Sequence, residues 1–532
     1  MTAETDNKEL IDFLTRPGAF GLGAEEEVGH IETHANHIFL AGDCAWKMKK
    51  PISFSFLDFS TVDKRRDACE AELTLNRRTA PELYLGLAAV TESADGYSLE
   101  EVEPGEDAPT GTVDWLVRMK RFDNEGLLAK QEDEGRLRTE LVEELAARVA
   151  RFHAEAEVMR DFGGADAFAK IVADNAHDML EKAPSTFSQD EAKKVRARCA
   201  ALIERDRALM DTRREAGWIR RCHGDLHLGN VVEIDGSPVI FDCIEFNEDI
   251  ACIDVLYDLA FLLMDLAFRE GAAPFLANRA FNTYFDHAGE ADIDDMIAGL
   301  PLMPLFVAVR AVVRSKVTAM QVEQGGDKKL REKARAFFDF AMKSFDPGRP
   351  KLVAIGGLSG TGKSTIAKEL APSLGRPAGA LHLRSDIIRK RLFDVGPLKR
   401  LPDEAYAPEV GARVYAEMFR LAAHGLEAGV SVVIDAVFAQ EHERNRAAEL
   451  AAEMGVSFAG IWLEADREVL EERVRERSRR ANDASDADVE VLRRQLGYDL
   501  GTLDWHRLDA AGEPADIAAR SRRILAEAVT KD

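Results

Sequence analysis

Two kinds of hydrophobic patterning divide the chain. Leu137, Leu141, Leu145, Val149 and Phe152 recur at helical spacing and predict one amphipathic helix, after which a mostly helical region runs to Trp218. Strands are predicted at Ala45-Trp46-Lys47-Met48-Lys49 and at Val113-Asp114-Trp115-Leu116-Val117. The Glu, Asp, Gly and Pro residues between Thr91 and Thr112 predict a solvated hairpin or insertion ahead of the second of these. Val231-Val232-Glu233-Ile234, the turn Asp235-Gly236 and Val239-Ile240-Phe241 read as a hairpin bracketed by helices. Lys328 to Ser344 is again helical, and Asp346-Pro347-Gly348-Arg349-Pro350 then stops it, because two prolines and a glycine cannot continue a helix. A domain boundary is placed there. Beyond it the apolar runs Leu352–Ile355, Ala380–Leu383, Val430–Ile434 and Phe458–Leu463 alternate with helical stretches, the pattern of a parallel sheet covered on both faces.

The length of 532 residues is too great for one core at about 150 residues per domain. A hydrophobic share of 46% with 31% charged residues excludes wholesale disorder. The balance of 70 basic against 95 acidic side chains, a formal charge of −25, repels phosphate backbones and anionic lipid. No nucleic acid and no membrane is expected as a partner, which leaves room for a small basic pocket only. Six cysteines without a C-x-x-C pair match a reducing compartment and no zinc site. The polar start MTAETDNKELIDFL is unlike a secretory leader, and Asp258 and Asp265 interrupt the apolar run from Leu256 to Phe268. A cytoplasmic location is expected.

Gly357-Leu358-Ser359-Gly360-Thr361-Gly362-Lys363-Ser364 fits G-x-x-x-x-G-K-[ST] between a predicted strand and a predicted helix, with Thr365 following. Glycines let backbone amides close around phosphate oxygens at the positive end of the helix. Lys363 would reach the β- and γ-phosphates, and the Ser364 hydroxyl would sit on Mg²⁺. Asp435 ends the run Val432-Val433-Ile434, where a ligand for Mg²⁺ or its water is wanted, although a strand-end Asp also serves as an ordinary turn former. Asp386 and Arg389 in Ser385-Asp386-Ile387-Ile388-Arg389 face one way on a helical turn. The carboxylate can take a hydroxyl proton while the arginine holds an anionic group; the plain alternative is a helix-start Asp with a surface Arg. Arg473, Arg477, Arg479 and Arg480, with the loop Ser478 to Asp486, would close over a nucleotide, or else form Glu-Arg pairs on a solvated helix.

In the first half, Asp225 and Asn230 within His223-Gly224-Asp225-Leu226-His227-Leu228-Gly229-Asn230 have the spacing of a kinase catalytic loop. There a carboxylate deprotonates the acceptor hydroxyl and an amide oxygen holds Mg²⁺. The hairpin then returns Asp242 as a second metal-binding carboxylate. His223 and His227 lack a third ligand at zinc spacing and are read as loop-structuring residues. Lys47 and Lys49 fall on one face of their strand; one of them would bind the nucleotide phosphates, with Glu72 as its helix partner.

On these motifs, residues 26–340 resemble the aminoglycoside phosphotransferase and choline kinase-like family, whose signature is H-G-D-x-H-x-x-N. Ile253-Asp254-Val255-Leu256-Tyr257-Asp258-Leu259-Ala260 resembles its D-x-x-x-D-L-A helix, and Asp258 would brace the catalytic loop. The sequence departs from protein kinases in having Thr33-His34-Ala35-Asn36 where a glycine loop would stand. From Lys351 onward the chain resembles the small-molecule P-loop kinases, the group of gluconate kinase, zeta toxins and polynucleotide kinases. That resemblance implies a five-stranded parallel sheet, an arginine-bearing lid and Asp386 as substrate-side base. The fold expected is α/β and α+β: a protein-kinase-like two-lobed domain over 1–345, with lobes at about 26–120 and 121–345, then a P-loop parallel-sheet α/β domain over 351–532.

The function expected is tandem, bifunctional phosphotransfer from ATP or GTP, with Mg²⁺, to hydroxyls of small molecules at two sites. The catalytic set is Asp225, Asp386, Lys363 and Arg389. Nucleotide contacts fall on Gly357, Ser359, Gly360, Thr361, Gly362, Lys363, Ser364, Thr365, Lys47, Glu72 and Arg477, and metal ligands on Asn230, Asp242, Ser364 and Asp435. The rival readings are a nucleotide-sensing regulator in which one half only binds, and a toxin-like or nucleic-acid end kinase.

Overall fold

A computed structural model describes residues 3–33, 35–54, 57–269, 273–289, 291–346, 348–375, 378–480 and 484–529. The chain divides into two compact units, one of Met1–Leu141, Phe152–Gly163 and Gly217–Asp258, the other of Val142–Arg151, Gly164–Ala216 and Leu259–Asp532. The proline-glycine segment lies inside the second unit, with Pro347 outside the described residues.

In the first unit, β1 (Gly29–Glu32), β2 (Asn36–Ala41), β3 (Cys44–Lys49), the helix α1 (Val62–Asn76), β4 (Tyr84–Ser93), β5 (Gly96–Val102) and β6 (Thr112–Lys120) build an antiparallel sheet in the order β1-β2-β3-β6-β4-β5. Strand periodicity puts Phe39, Trp46, Met48 and Leu116 on one face. Leu87, Ala89, Trp115 and Val117 lie on the other, against Cys69 and Leu73 of α1. Thr61 caps α1, its hydroxyl accepting from the Lys64 amide at 3.3 Å.

The polar stretch from Thr91 holds the expected hairpin, formed by β4 and β5. Ala94-Asp95 makes the β4–β5 turn, Gly96 opens β5 at φ 107°, and residues 103–111 form an irregular loop. The hairpin β7 (Val231–Ile234) and β8 (Ser237–Ile240) turns at Asp235 and Gly236, φ 51° and 81°, as a two-residue primed turn requires.

The second unit contains helices Gly164–Lys182 and Gln189–Glu215, α2 (Ala273–Asp286), and helices Met303–Glu323 and Lys328–Ser344. A parallel sheet follows: β9 (Lys351–Gly357), β10 (Leu381–Arg384), β11 (Val432–Asp435), β12 (Ser457–Glu464) and β13 (His506–Asp509), in the order β10-β11-β9-β12-β13. Every residue of β10 and β11 is buried, the mark of strands covered on both faces. Interleaved are α3 (Lys363–Leu370), α4 (Ser385–Leu392), α5 (Arg467–Arg480) and α6 (Val489–Gln495). One stretch, Ile293–Glu323, is long and apolar enough by composition to cross a membrane, and 78% of its apolar window is buried inside the protein.

The open side of β10 is closed by α2. Asn278 donates to the carbonyls of Ala378 and Ala380 at 2.7 and 3.0 Å, and Asn282 donates to that of Ala380 at 3.1 Å. The His382 amide donates to Asn282 Oδ1 at 2.7 Å. Asparagine offers both a donor and an acceptor, so it pairs with both kinds of backbone group that a strand edge leaves unmade. Asn282→Ala leaves the buried His382 amide unpaired and is expected to cost about 1–3 kcal/mol in urea denaturation of the full chain. An unchanged midpoint and slope would show that the cap contributes nothing.

Candidate active sites

The first site gathers around a carboxylate with no exposure. Glu72, on α1, accepts from Lys47 Nζ on Oε1 at 2.8 Å and from Lys49 Nζ on Oε2 at 2.7 Å. The two lysines reach one group because they lie two residues apart on β3. They differ in their second partner. Lys47 also pairs with Asp242 Oδ1 at 2.6 Å, whereas Lys49 pairs with Glu245. Burial opposes charge on Lys47, but Asp242 and Glu72 outweigh it and hold its pKa well above the ordinary lysine value. Burial likewise opposes charge on Glu72, and the two lysines outweigh it, so that its carboxyl titrates at about 2. Lys47 is thus the lysine that faces Asp242.

The loop before β7 is held by Asp258. Its Oδ2 accepts from the His223 amide at 3.0 Å and its Oδ1 from the Gly224 amide at 2.9 Å. His153 Nε2 lies 3.1 Å from Oδ2. These two with Cys222 bring one ligand atom each within 4.8 Å, but the Asp258 oxygens are already engaged by loop amides. His223 accepts from the Asp225 amide on Nδ1 at 3.2 Å and donates from Nε2 to the Phe241 carbonyl at 2.9 Å, while burial lowers its pKa and keeps it neutral. It structures the loop, as the sequence reading has it.

Asn230 Nδ2 donates to the carbonyl and to Oδ2 of Asp225, both at 3.0 Å, which leaves the Asn230 side-chain oxygen directed elsewhere. Asp242 stands in the left-handed region at φ 63°, its amide donating to the Tyr84 hydroxyl at 3.1 Å. A non-glycine residue held there is costly, and the neighbouring bond from the Cys243 amide to Asn76 Oδ1 at 2.9 Å helps impose it. Asn230 and Asp242 offer hard oxygen donors of the kind Mg²⁺ takes.

The second site lies at the carboxyl ends of β9, β10 and β11. Gly360 and Gly362 turn the P-loop at φ 87° and 86°. A Cβ on Gly362 would meet nothing within 4 Å, so the backbone faces open space there. Lys363 begins α3, and its Nζ donates to the Leu358 carbonyl at 3.1 Å; Ser364 is half-buried and Thr365 exposed. Asp435 lies beside Ile355 of β9 and Arg384 of β10 in the sheet register. Burial opposes its charge, but the adjacent His382, with Nε2 at 3.4 Å, and the cations Lys363 and Arg384 hold its pKa at about 2.

Burial, helped by the Asp435 carboxylate, raises the Asp386 pKa against Arg384, Lys363 and a hydrogen bond from Ser485, which lower it. Arg389 stacks 5.0 Å from the Tyr406 ring and donates to the Ala405 carbonyl at 2.6 Å. The Tyr406 hydroxyl donates to Asp486 Oδ2 at 2.6 Å.

The arginines of α5 separate. Arg477 donates to the Ala487 carbonyl at 2.6 Å and so anchors the loop, and Arg473 donates to the Ala510 carbonyl at 2.8 Å, away from it. Glu471 pairs with Arg467 and Arg475 of α5 and with Arg493 of α6, so the expected Glu-Arg pairing is present and also ties the two helices together. Arg479 is exposed; the Arg480 side chain and residues 481–483 of the predicted lid lie outside the described residues. Sequence reasoning did not find Glu245, Ser485 or Asp486. A signal for Glu245 did exist: a second lysine on the buried face of β3 needs an anion of its own.

Two family models match the chain: "Phosphotransferase enzyme family" over residues 107–293 and "AAA domain" over residues 352–498. A choline/ethanolamine kinase family protein from Mesorhizobium loti is similar in structure at 14% identity, covering 64% of this chain and 95% of that one with a TM-score of 0.38. A gluconokinase from Sinorhizobium meliloti 1021 is similar at 23% identity, covering 34% of this chain and 94% of that one with a TM-score of 0.24. Uncharacterized proteins of Mycobacterium tuberculosis and Mycobacterium bovis are 30% identical over 509 residues, 94% of this chain and 95% of theirs. The chain is an ATP-dependent phosphotransferase that joins a phosphotransferase-family domain to a P-loop domain, and it belongs to the same family as these mycobacterial proteins.

Proposed function

We propose that the chain transfers the γ-phosphate of ATP to hydroxyl groups of small molecules at two separate sites. The observation that supports this reading is that each half sets carboxylates beside a lysine of its own: Asp242 on Lys47, and Asp386 and Asp435 near Lys363. In the first half Asp225 receives the acceptor proton, and Lys47, oriented by Glu72, holds the nucleotide phosphates. In the second, P-loop amides and Lys363 hold the phosphates, Asp386 receives the acceptor proton and Arg389 holds an anionic part of the acceptor.

Asn230 with Asp242, and Ser364 with Asp435, are the residues that would hold Mg²⁺. The ion, when bound, neutralises charge on the phosphates. The boundary at 346–350 is proposed as the seam between the two kinase-type regions, and the cytoplasm as the location.

Lys363→Ala in the full chain is expected to abolish transfer at the P-loop site while leaving that at the first site, read as phosphate gained by acceptors from a screen of hydroxylated metabolites. Asp225→Asn is expected to cut transfer at the first site by roughly a hundredfold while nucleotide binding there survives, because the metal ligands remain. If Lys363→Ala alone ended all transfer, the first half would be a nucleotide-binding regulator. Arbitrary duplex or single-stranded DNA is expected to bind poorly at moderate salt, since a charge of −25 opposes it. Submicromolar binding with a steep salt slope in a filter assay would instead favour a nucleic-acid end kinase.

A further inference from the structure

One amide of the P-loop is spent away from the space in front of Gly362. The Ser359 amide donates to Gln495 Oε1 at 2.8 Å, and Gln495 is 7% exposed. Gln495 is the last residue of α6. Leu492, one turn earlier, packs with Leu470 and Val474 of α5, and Leu358 of the P-loop joins the same cluster. Gly360 permits this seating, because a Cβ there would stand 2.8 Å from the Leu470 carbonyl oxygen. The first turn of the P-loop therefore rests on α5 and α6 through one hydrogen bond and one apolar contact.

The other end of α6 is tied to the opposite side of the site. Asp488 caps it, accepting from the Glu490 and Val491 amides at 2.9 Å. Just before the cap, Asp486 accepts from the Tyr406 hydroxyl at 2.6 Å and the Leu401 amide at 3.1 Å, and Ser485 donates to Asp386. A helix of two turns thus connects the P-loop backbone with the carboxylate and arginine side of the pocket.

We infer that Gln495 is a positioning residue for nucleotide. It holds the Ser359 amide so that the turns at Gly360 and Gly362 present the following amides to the phosphates. This rests on the P-loop reading above.

The test uses the full chain, photolabelled with an azido-ATP in the presence of Mg²⁺ and quantified on peptides from residues 351–532, so that the two sites report separately. Gln495→Leu keeps the side chain's bulk but removes the acceptor, and is expected to raise the half-saturating nucleotide concentration roughly tenfold or more. Gln495→Glu keeps an oxygen for the Ser359 amide and is expected to restore it to within about threefold. Thermal melting of each variant without nucleotide is followed alongside. Wild-type half-saturation in Gln495→Leu, with or without a lower melting temperature, would overturn the inference, as would equal weakening in both variants. Lys363→Ala separates the two claims. If it loses labelling while Gln495→Leu does not, the inference about Gln495 fails alone. If Lys363→Ala labels as the wild type does, the P-loop reading fails and takes this inference with it.

Discussion

A carboxylate shut away from water keeps its charge only if cations replace the solvent, and Glu72 obtains two of them, one on each oxygen. Desolvating an ion costs several kcal/mol, so such a group persists only where the geometry around it is closely set. Here the requirement fixes α1 against β3. The same two lysines then reach Asp242 and Glu245, which fixes the segment after β8 as well. Three parts of the chain far apart in sequence are therefore registered by five charged groups. The strained backbone of Asp242 is sustained within that frame, by Tyr84 from the sheet and Asn76 from the helix.

The second site solves the same problem with backbone rather than side chains. Its glycines open a concavity of amides, and Lys363 begins the helix behind them. Its two carboxyl groups are driven apart by their surroundings: burial raises Asp386, whereas cations and the His382 ring keep Asp435 ionised to about pH 2. Asp386 thus takes up a proton more readily than an ordinary carboxyl and Asp435 less readily, a separation of the kind that acid-base chemistry beside a bound cation uses.

What could be read from the residues followed from short-range rules. Asp235-Gly236 takes positive φ at both positions and announces its hairpin; β9, β11 and β12 carry apolar runs; Lys47 and Lys49 share a face because strand side chains repeat every two residues. The solvated hairpin expected after Thr91 is the β4–β5 hairpin; an insertion stayed open beside it because an edge strand with a wet face carries many acidic residues. Asn278 and Asn282, four apart on a helix, look like a solvated stripe, yet they are buried against a strand edge roughly a hundred residues away in sequence. Asp486 reads in the sequence only as the end of a lid loop, because nothing local reveals that Tyr406 and Leu401 donate to it. Pairings across such distances are tertiary, and no local pattern encodes them.

The asparagine cap on β10 has a consequence for where the chain can be cut. A free-standing P-loop fragment beginning after Pro350 would leave behind the helix that closes its outermost strand. The carbonyls of Ala378 and Ala380 and the amide of His382 would then be bare, a template onto which a strand from another copy could add. The sheet therefore borrows its solubility from residues 273–286, and a working boundary for the P-loop region falls well before the proline-glycine segment that punctuates the sequence.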